Sequence, residues 1–94
     1  MKVLFTVASF IALASASRFI GYANNDYTGA SQVLGNCGCS NIIYRGSYKW
    51  TAQGQGAWMY NEGHCQPEVV FTLSASNNAE QRTGFGWKSM FVVC

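Results

Sequence analysis

The side chains best suited to chemistry in this 94-residue chain are four cysteines, Cys37, Cys39, Cys65 and Cys94, and a single histidine, His64. Cysteines bond to one another, hold metals or attack substrates, and their spacing separates these roles. A structural zinc site needs two pairs of ligands at short spacing; here the one histidine abuts Cys65 and no second pair exists. Acid–base catalysis at neutral pH wants a histidine or two carboxylates held in a cleft. The carboxylate nearest His64 is Glu62, in the same predicted turn, and adjacent residues such as His64 and Cys65 point to opposite faces of a strand. The chain is therefore read as no enzyme, and its cysteines as cross-links.

Cross-linking presupposes an oxidising compartment, and the N-terminus supplies the route to one. Met1-Lys2 is a positive start, Val3 to Leu13 is almost unbroken apolar sequence, and Ala14-Ser15-Ala16 is a small-x-small cleavage site. Residues 1–16 are thus expected to be a signal peptide, too short to span a bilayer comfortably, and 17–94 a single secreted, extracellular domain. An even cysteine count in so small a secreted chain reads as two disulfides. Cys37 and Cys39 are too close in sequence to bond to each other without strain, so each pairs with Cys65 or Cys94. Two connectivities stay open, 37–65 with 39–94 and 37–94 with 39–65. No Asn-x-Ser/Thr acceptor is present, so export does not depend on N-glycosylation.

After cleavage, Arg18, Arg45, Lys49, Arg82 and Lys88 face Asp26, Glu62, Glu68 and Glu80, a net charge of +1. That is no nucleic-acid footprint. A domain this small cannot rest on its core alone, which is the physical reason for the cross-links.

The elements that must position these residues are short strands. Beyond Ser17 no apolar pattern holds helical spacing for three turns, and glycines and Asn-Asn pairs punctuate the chain. Candidate strands are 18–22, 29–34, 41–44, 47–52, 57–60, 67–73 and 87–94, rich in Val, Ile, Phe, Tyr, Trp and Thr. Tyr48 and Trp50 share one face of their strand opposite Lys49, and Met90, Val92 and Cys94 share a face opposite Phe91 and Val93. Tyr48, Trp50 and Trp58 are expected in the core.

An approximate repeat runs through these strands. Tyr22, four residues, Tyr27, one residue and Gly29 are matched by Tyr60, four residues, Cys65, one residue and Pro67. Each half closes on a serine-bearing strand, at Ser47 and at Ser89. The pattern suits a hairpin folded over its own sheet, with an aromatic packing across the turn and a glycine supplying a conformation closed to other residues.

In these features the chain resembles the βγ-crystallin superfamily, over essentially all of Phe19 to Cys94, and in particular its small secreted microbial members. The resemblance implies an all-β domain of two Greek-key motifs forming a sandwich, stapled here by two disulfides. Cys65 and Pro67 depart from the pattern, which implies a second hairpin fastened by a disulfide, with a turn of different shape. Many microbial members bind calcium through a six-residue run of acidic, amide and hydroxyl ligands. The corresponding windows here, 42–47 and 84–89, keep only their terminal serines and put Arg45 and Lys88 where oxygens belong. No cofactor is expected; a weak calcium site would have to use Asp26, Ser47, Glu62 and Ser89.

What the resemblance implies about function is a secreted, non-catalytic protein acting by extracellular surface binding, a toxin, antimicrobial or host-directed effector. A structural or stress protein and a protease inhibitor are the alternatives. The inhibitor would need an extended loop, for which 53–56 and 74–83 are the candidates. The expected interaction surface comprises Arg45, Lys49, Trp87, Lys88, Phe91 and Val93. Its partner would be an extracellular protein, a cell wall or a membrane, met by a monomer.

Overall fold

A computed structural model describes residues 16–94; the expected signal peptide, all but its last residue, lies outside the described residues. The described residues form eight strands: β1 (Arg18–Asn24), β2 (Thr28–Leu34), β3 (Gly38–Asn41), β4 (Ser47–Thr51), β5 (Ala57–Tyr60), β6 (Phe71–Leu73), β7 (Ala79–Gln81) and β8 (Ser89–Val92). They build two antiparallel four-stranded sheets, ordered β2-β1-β4-β7 and β3-β8-β5-β6. Each half of the chain gives three strands to its own sheet and its third strand to the other, so two Greek keys exchange strands to make one sandwich.

Alternation along the strands accounts for the core. Phe19, Tyr48 and Trp50 from the first sheet meet Ala57, Met59, Leu73, Met90 and Val92 from the second, all buried. Between them Ile42 is buried where the chain crosses from one sheet to the other. Phe19 stacks on Tyr48 with ring centroids 5.4 Å apart, and Phe85 meets both rings edge-on. Trp50 keeps its indole N–H satisfied on the Ser74 carbonyl, 2.8 Å away, as a buried ring donor must.

Several expectations are corrected. The strand 79–81 was not foreseen, because Ala, Glu and Gln carry little β propensity; it forms because β4 offers an edge, pairing Tyr48 with Gln81 and Trp50 with Ala79. The third strand lies at Gly38–Asn41 rather than 41–44, in a polar run held by pairing with β8. The candidate strands at 67–73 and 87–94 shrink to Phe71–Leu73 and Ser89–Val92. Trp58 is outside, 41 % exposed, because its neighbours Ala57 and Met59 take the inward positions. Cys94 does not share the buried face of Met90 and Val92; the strand ends at Val92, and Cys94 is exposed.

The disulfides are Cys37–Cys94 and Cys39–Cys65. The first ties the C-terminus to the start of β3. The second ties the β5–β6 hairpin to β3. Ser17 anchors the other end of the chain: buried, its hydroxyl donates to the Gln55 carbonyl and accepts from the Gln53 and Gln55 amides. This fixes the linker between the two halves.

Candidate interaction site

Each sheet is crossed on its outer face by the hairpin that follows its first strand, and a buried serine holds the hairpin down. In the first half the Ser47 hydroxyl donates to the Asn24 carbonyl at 2.7 Å and accepts from the Tyr27 amide at 2.9 Å. In the second half the Ser89 hydroxyl donates to the Glu62 carbonyl and accepts from the Cys65 amide at 2.8 Å. The backbone repeats with the same fidelity: Asp26 and Tyr27 are left-handed in one hairpin, His64 and Cys65 in the other. The turns therefore share their central shape, against the expectation that they differ. They part company afterwards, where Gly29 at φ +83° stands opposite Pro67, which follows a cis peptide.

The outer rows that these hairpins flank are chemically unlike. Across the first sheet, Val33, Ile20, Lys49 and Glu80 are successive cross-strand partners. Across the second the corresponding row is Thr72, Trp58, Phe91 and Cys39. Lys49 carries its ammonium 4.4 Å from the centre of the Tyr27 ring, a cation–π contact. Trp58 and Phe91 stack with centroids 5.6 Å apart and planes 20° from parallel. One row is a charged patch under a tyrosine, the other an aromatic pair beside a disulfide.

Electrostatics is concentrated on the first sheet. Burial of its hydroxyl, then the negative charge of Glu80, raises the Tyr27 phenol above its usual range. Burial likewise raises Tyr48, with Tyr27 adding to it. The hydrogen bond from Arg82 Nε to Asp26, 2.8 Å long, raises Arg82 further. That pair is well exposed on both sides.

The residues singled out in the sequence fall into separate places. Asp26 and Ser47 belong to the first hairpin, Glu62 and Ser89 to the second, and both serine hydroxyls are occupied by backbone partners. Asp26 is engaged by Arg82, and Glu62 lies 4.0 Å from Lys88. Of the expected interaction surface, Lys49 projects from the first sheet while Phe91 projects from the second. Val93, two residues beyond Phe91 and past the end of β8, is half-buried, its amide on the Gly56 carbonyl. Trp87 closes the end of the sandwich, stacked on Phe71 at 5.0 Å and tilted against Tyr48 at 5.3 Å. Arg45 is exposed and donates to the Ile42 carbonyl.

Sequence reasoning missed four of the exposed large hydrophobic residues. Trp58, Val69, Val70 and Phe71 are all more than 40 % exposed. The signal was available for Trp58, between the inward Ala57 and Met59. It was not available for 69–71, where three apolar residues in a row read as a buried strand. The loop 74–83, a candidate inhibitor loop, contains β7 and so is partly built into the first sheet.

Comparison with known proteins places this geometry in context. The family model described as MiAMP1 matches residues 17–94. The protein called Antimicrobial peptide 1 of Pinus monticola is 36 % identical over 93 residues, covering 94 % of this chain and 88 % of its own length. The Macadamia integrifolia protein of the same name is 34 % identical over 93 residues, covering 95 % and 89 %. The solution structure of MiAMP1, a plant antimicrobial protein, superposes with a TM-score of 0.74 at 28 % identity, covering 82 % of this chain and 99 % of that one. These relatives are plant proteins, so the likeness to microbial members finds no support among them.

Proposed function

Since this chain belongs to the MiAMP1 family, we propose that it is a secreted antimicrobial protein acting without catalysis, by binding the outer surface of a target microbe. The exchange of third strands between the two Greek keys supports reading the domain as a relative of the βγ-crystallins. The observation that carries the binding reading is the Trp58–Phe91 pair, stacked and outward on a sheet braced by the Cys39–Cys65 disulfide. An aromatic pair held rigid on a sheet presents contact area at little cost in side-chain entropy, which is what binding hot spots require. The target is a cell-wall or membrane component.

The test is growth inhibition of fungi and bacteria by folded protein 17–94, with the amount bound to the cells measured in parallel. Loss of a hot-spot aromatic weakens binding by about tenfold or more, so Trp58→Ala and Phe91→Ala are expected to raise the inhibitory concentration and lower cell binding together. Full potency in both variants, with their melting temperatures unchanged, rejects the aromatic face. Inactivity of the wild type on every organism tested, with no cell binding, rejects the antimicrobial reading itself.

A further inference from the structure

The linker between the two halves is held by groups that come from elsewhere in the chain. The amides of Ala52, Gln53, Gly54 and Gln55 donate in turn to the Asn78 side chain, the Ser17 hydroxyl, the Ala75 carbonyl and the Ser17 hydroxyl again. The Gln55 carbonyl accepts from that same hydroxyl at 2.7 Å, and the Gly56 carbonyl accepts from the Val93 amide. A hydroxyl has one donor and two acceptor lone pairs, so Ser17 Oγ is fully used on the linker. The backbone nitrogen of Ser17 is engaged there too, donating to Gln55 Oε1 at 2.8 Å, and the residue as a whole is buried.

Residue 17 is also where the family match begins, and removal of the expected signal peptide, residues 1–16, leaves it as the first residue. That cut turns the bonded amide nitrogen into an α-ammonium. Ala16 is exposed, so its departure opens the nitrogen to water on one side. Two of the ammonium protons stay solvated while the third stays on Gln55 Oε1. A hydrogen bond from a charged donor is roughly twice as strong as one between neutral groups. We propose that the amino terminus made by signal-peptide cleavage is a latch: the Ser17 ammonium binds the Gln55 side-chain oxygen, its hydroxyl binds the Gln53–Gln55 backbone, and processing thereby tightens the joint between the two halves. The linker acts as a receptor for the chain's own amine, much as backbone concavities capture N-terminal amines of peptides. The latch does not depend on what the protein binds.

Denaturant unfolding at about pH 6, where an α-amino group is charged, compares protein 17–94 bearing a free amino terminus with the same protein synthesised with that terminus acetylated. Acetylation restores the N–H that a preceding residue leaves on Ser17 and removes the charge. Gln55→Glu puts a carboxylate in place of the amide oxygen, so it should strengthen the latch in the free-amine protein and not in the acetylated one. Its effect on the folding equilibrium constant is expected to differ by about threefold or more between the two backgrounds; the neighbouring charge, Arg18, is common to both. Ser17→Ala leaves two amides and a carbonyl without their partner and should lower the constant by about tenfold or more in either background. A further readout needs no variant. Periodate cleaves the amino alcohol of an N-terminal serine and releases formaldehyde. Folded 17–94 should release it at least about tenfold more slowly than the denatured protein, because the nitrogen and the hydroxyl must first leave the linker. An equal response to Gln55→Glu in both backgrounds, an unchanged stability in Ser17→Ala, or equal periodate rates overturns the proposal.

Discussion

At the first hairpin Tyr22 and Tyr27 meet edge to face with ring centroids 5.8 Å apart, and Tyr27 lies over Lys49. At the second hairpin the residue in the place of Tyr27 is Cys65, bonded to Cys39 of β3. Both positions have the same left-handed backbone and both amides rest on a buried serine. The serine clasp and the backbone are thus what the folded-over hairpin requires, while the means of fastening its tip is open to substitution. An aromatic corner is reversible and sensitive to pH. A disulfide is neither, and it leaves the outer row beside it free to be aromatic and exposed.

The largest test of that difference is to remove the covalent fastening. Cys39→Ser with Cys65→Ser opens a loop spanning a sequence separation of 26, which is expected to destabilise the protein by about 3 to 4 kcal/mol in the chain-entropy model. Denaturant unfolding measures the loss, and amide exchange locates it. Amides of the second hairpin should lose protection while those of the first keep it. Equal loosening of both would show that the hairpins are not separately fastened.

Next in size are the serine clasps. Ser47→Ala and Ser89→Ala each leave a buried amide and a carbonyl without their partner, at a cost of about 1 to 3 kcal/mol. If the disulfide shares the load at the second hairpin, Ser47→Ala is the costlier of the two, and the gap closes when both are made in the background lacking Cys39–Cys65. A smaller effect again is expected for Lys49→Ala, about 0.5 to 1 kcal/mol for an exposed cation–π contact, measurable by the same unfolding curves.

How much of this was legible in the sequence follows from which interactions are local. The clasp serines, the Tyr22–Tyr27 corner and the cysteines could be found because spacing along the chain fixes them. β7 could not, since Ala79-Glu80-Gln81 becomes a strand only through the edge that β4 presents from the other half. The choice between disulfide connectivities likewise depended on β3 crossing to the second sheet, which brings Cys39 beside the second hairpin. The binding face was half visible. Phe91 was placed outward by alternation, but its partner Trp58 was assigned to the core because large aromatics in strands usually are buried. The pairing of Trp58 with Phe91 is a fact of sheet order, on which local sequence is silent. For the same reason the six residues expected as one surface lie apart, with Lys49 in β4, Phe91 in β8 and Arg45, Trp87, Lys88 and Val93 in no strand.

The smallest effect separates the two hairpins by pH. The phenols of Tyr27 and Tyr48 are both raised above 10.0, by burial first, so the folded state holds these protons more tightly than the unfolded chain does. A raised pKa of this kind contributes stability that is fully present below the unfolded value and is lost as pH rises through the folded one. The melting temperature is therefore expected to be level through neutral pH and to fall once the pH passes about 10, with tyrosinate absorbance appearing late for these two rings. Tyr27→Phe keeps the ring over Lys49 and removes the proton, so it should flatten part of that decline. The second hairpin has a disulfide sulfur where Tyr27 stands and should contribute nothing to the slope. If the decline is unchanged in Tyr27→Phe, the alkaline sensitivity belongs to the core through Tyr48, and the first hairpin is fastened by its serine and its ring contacts alone.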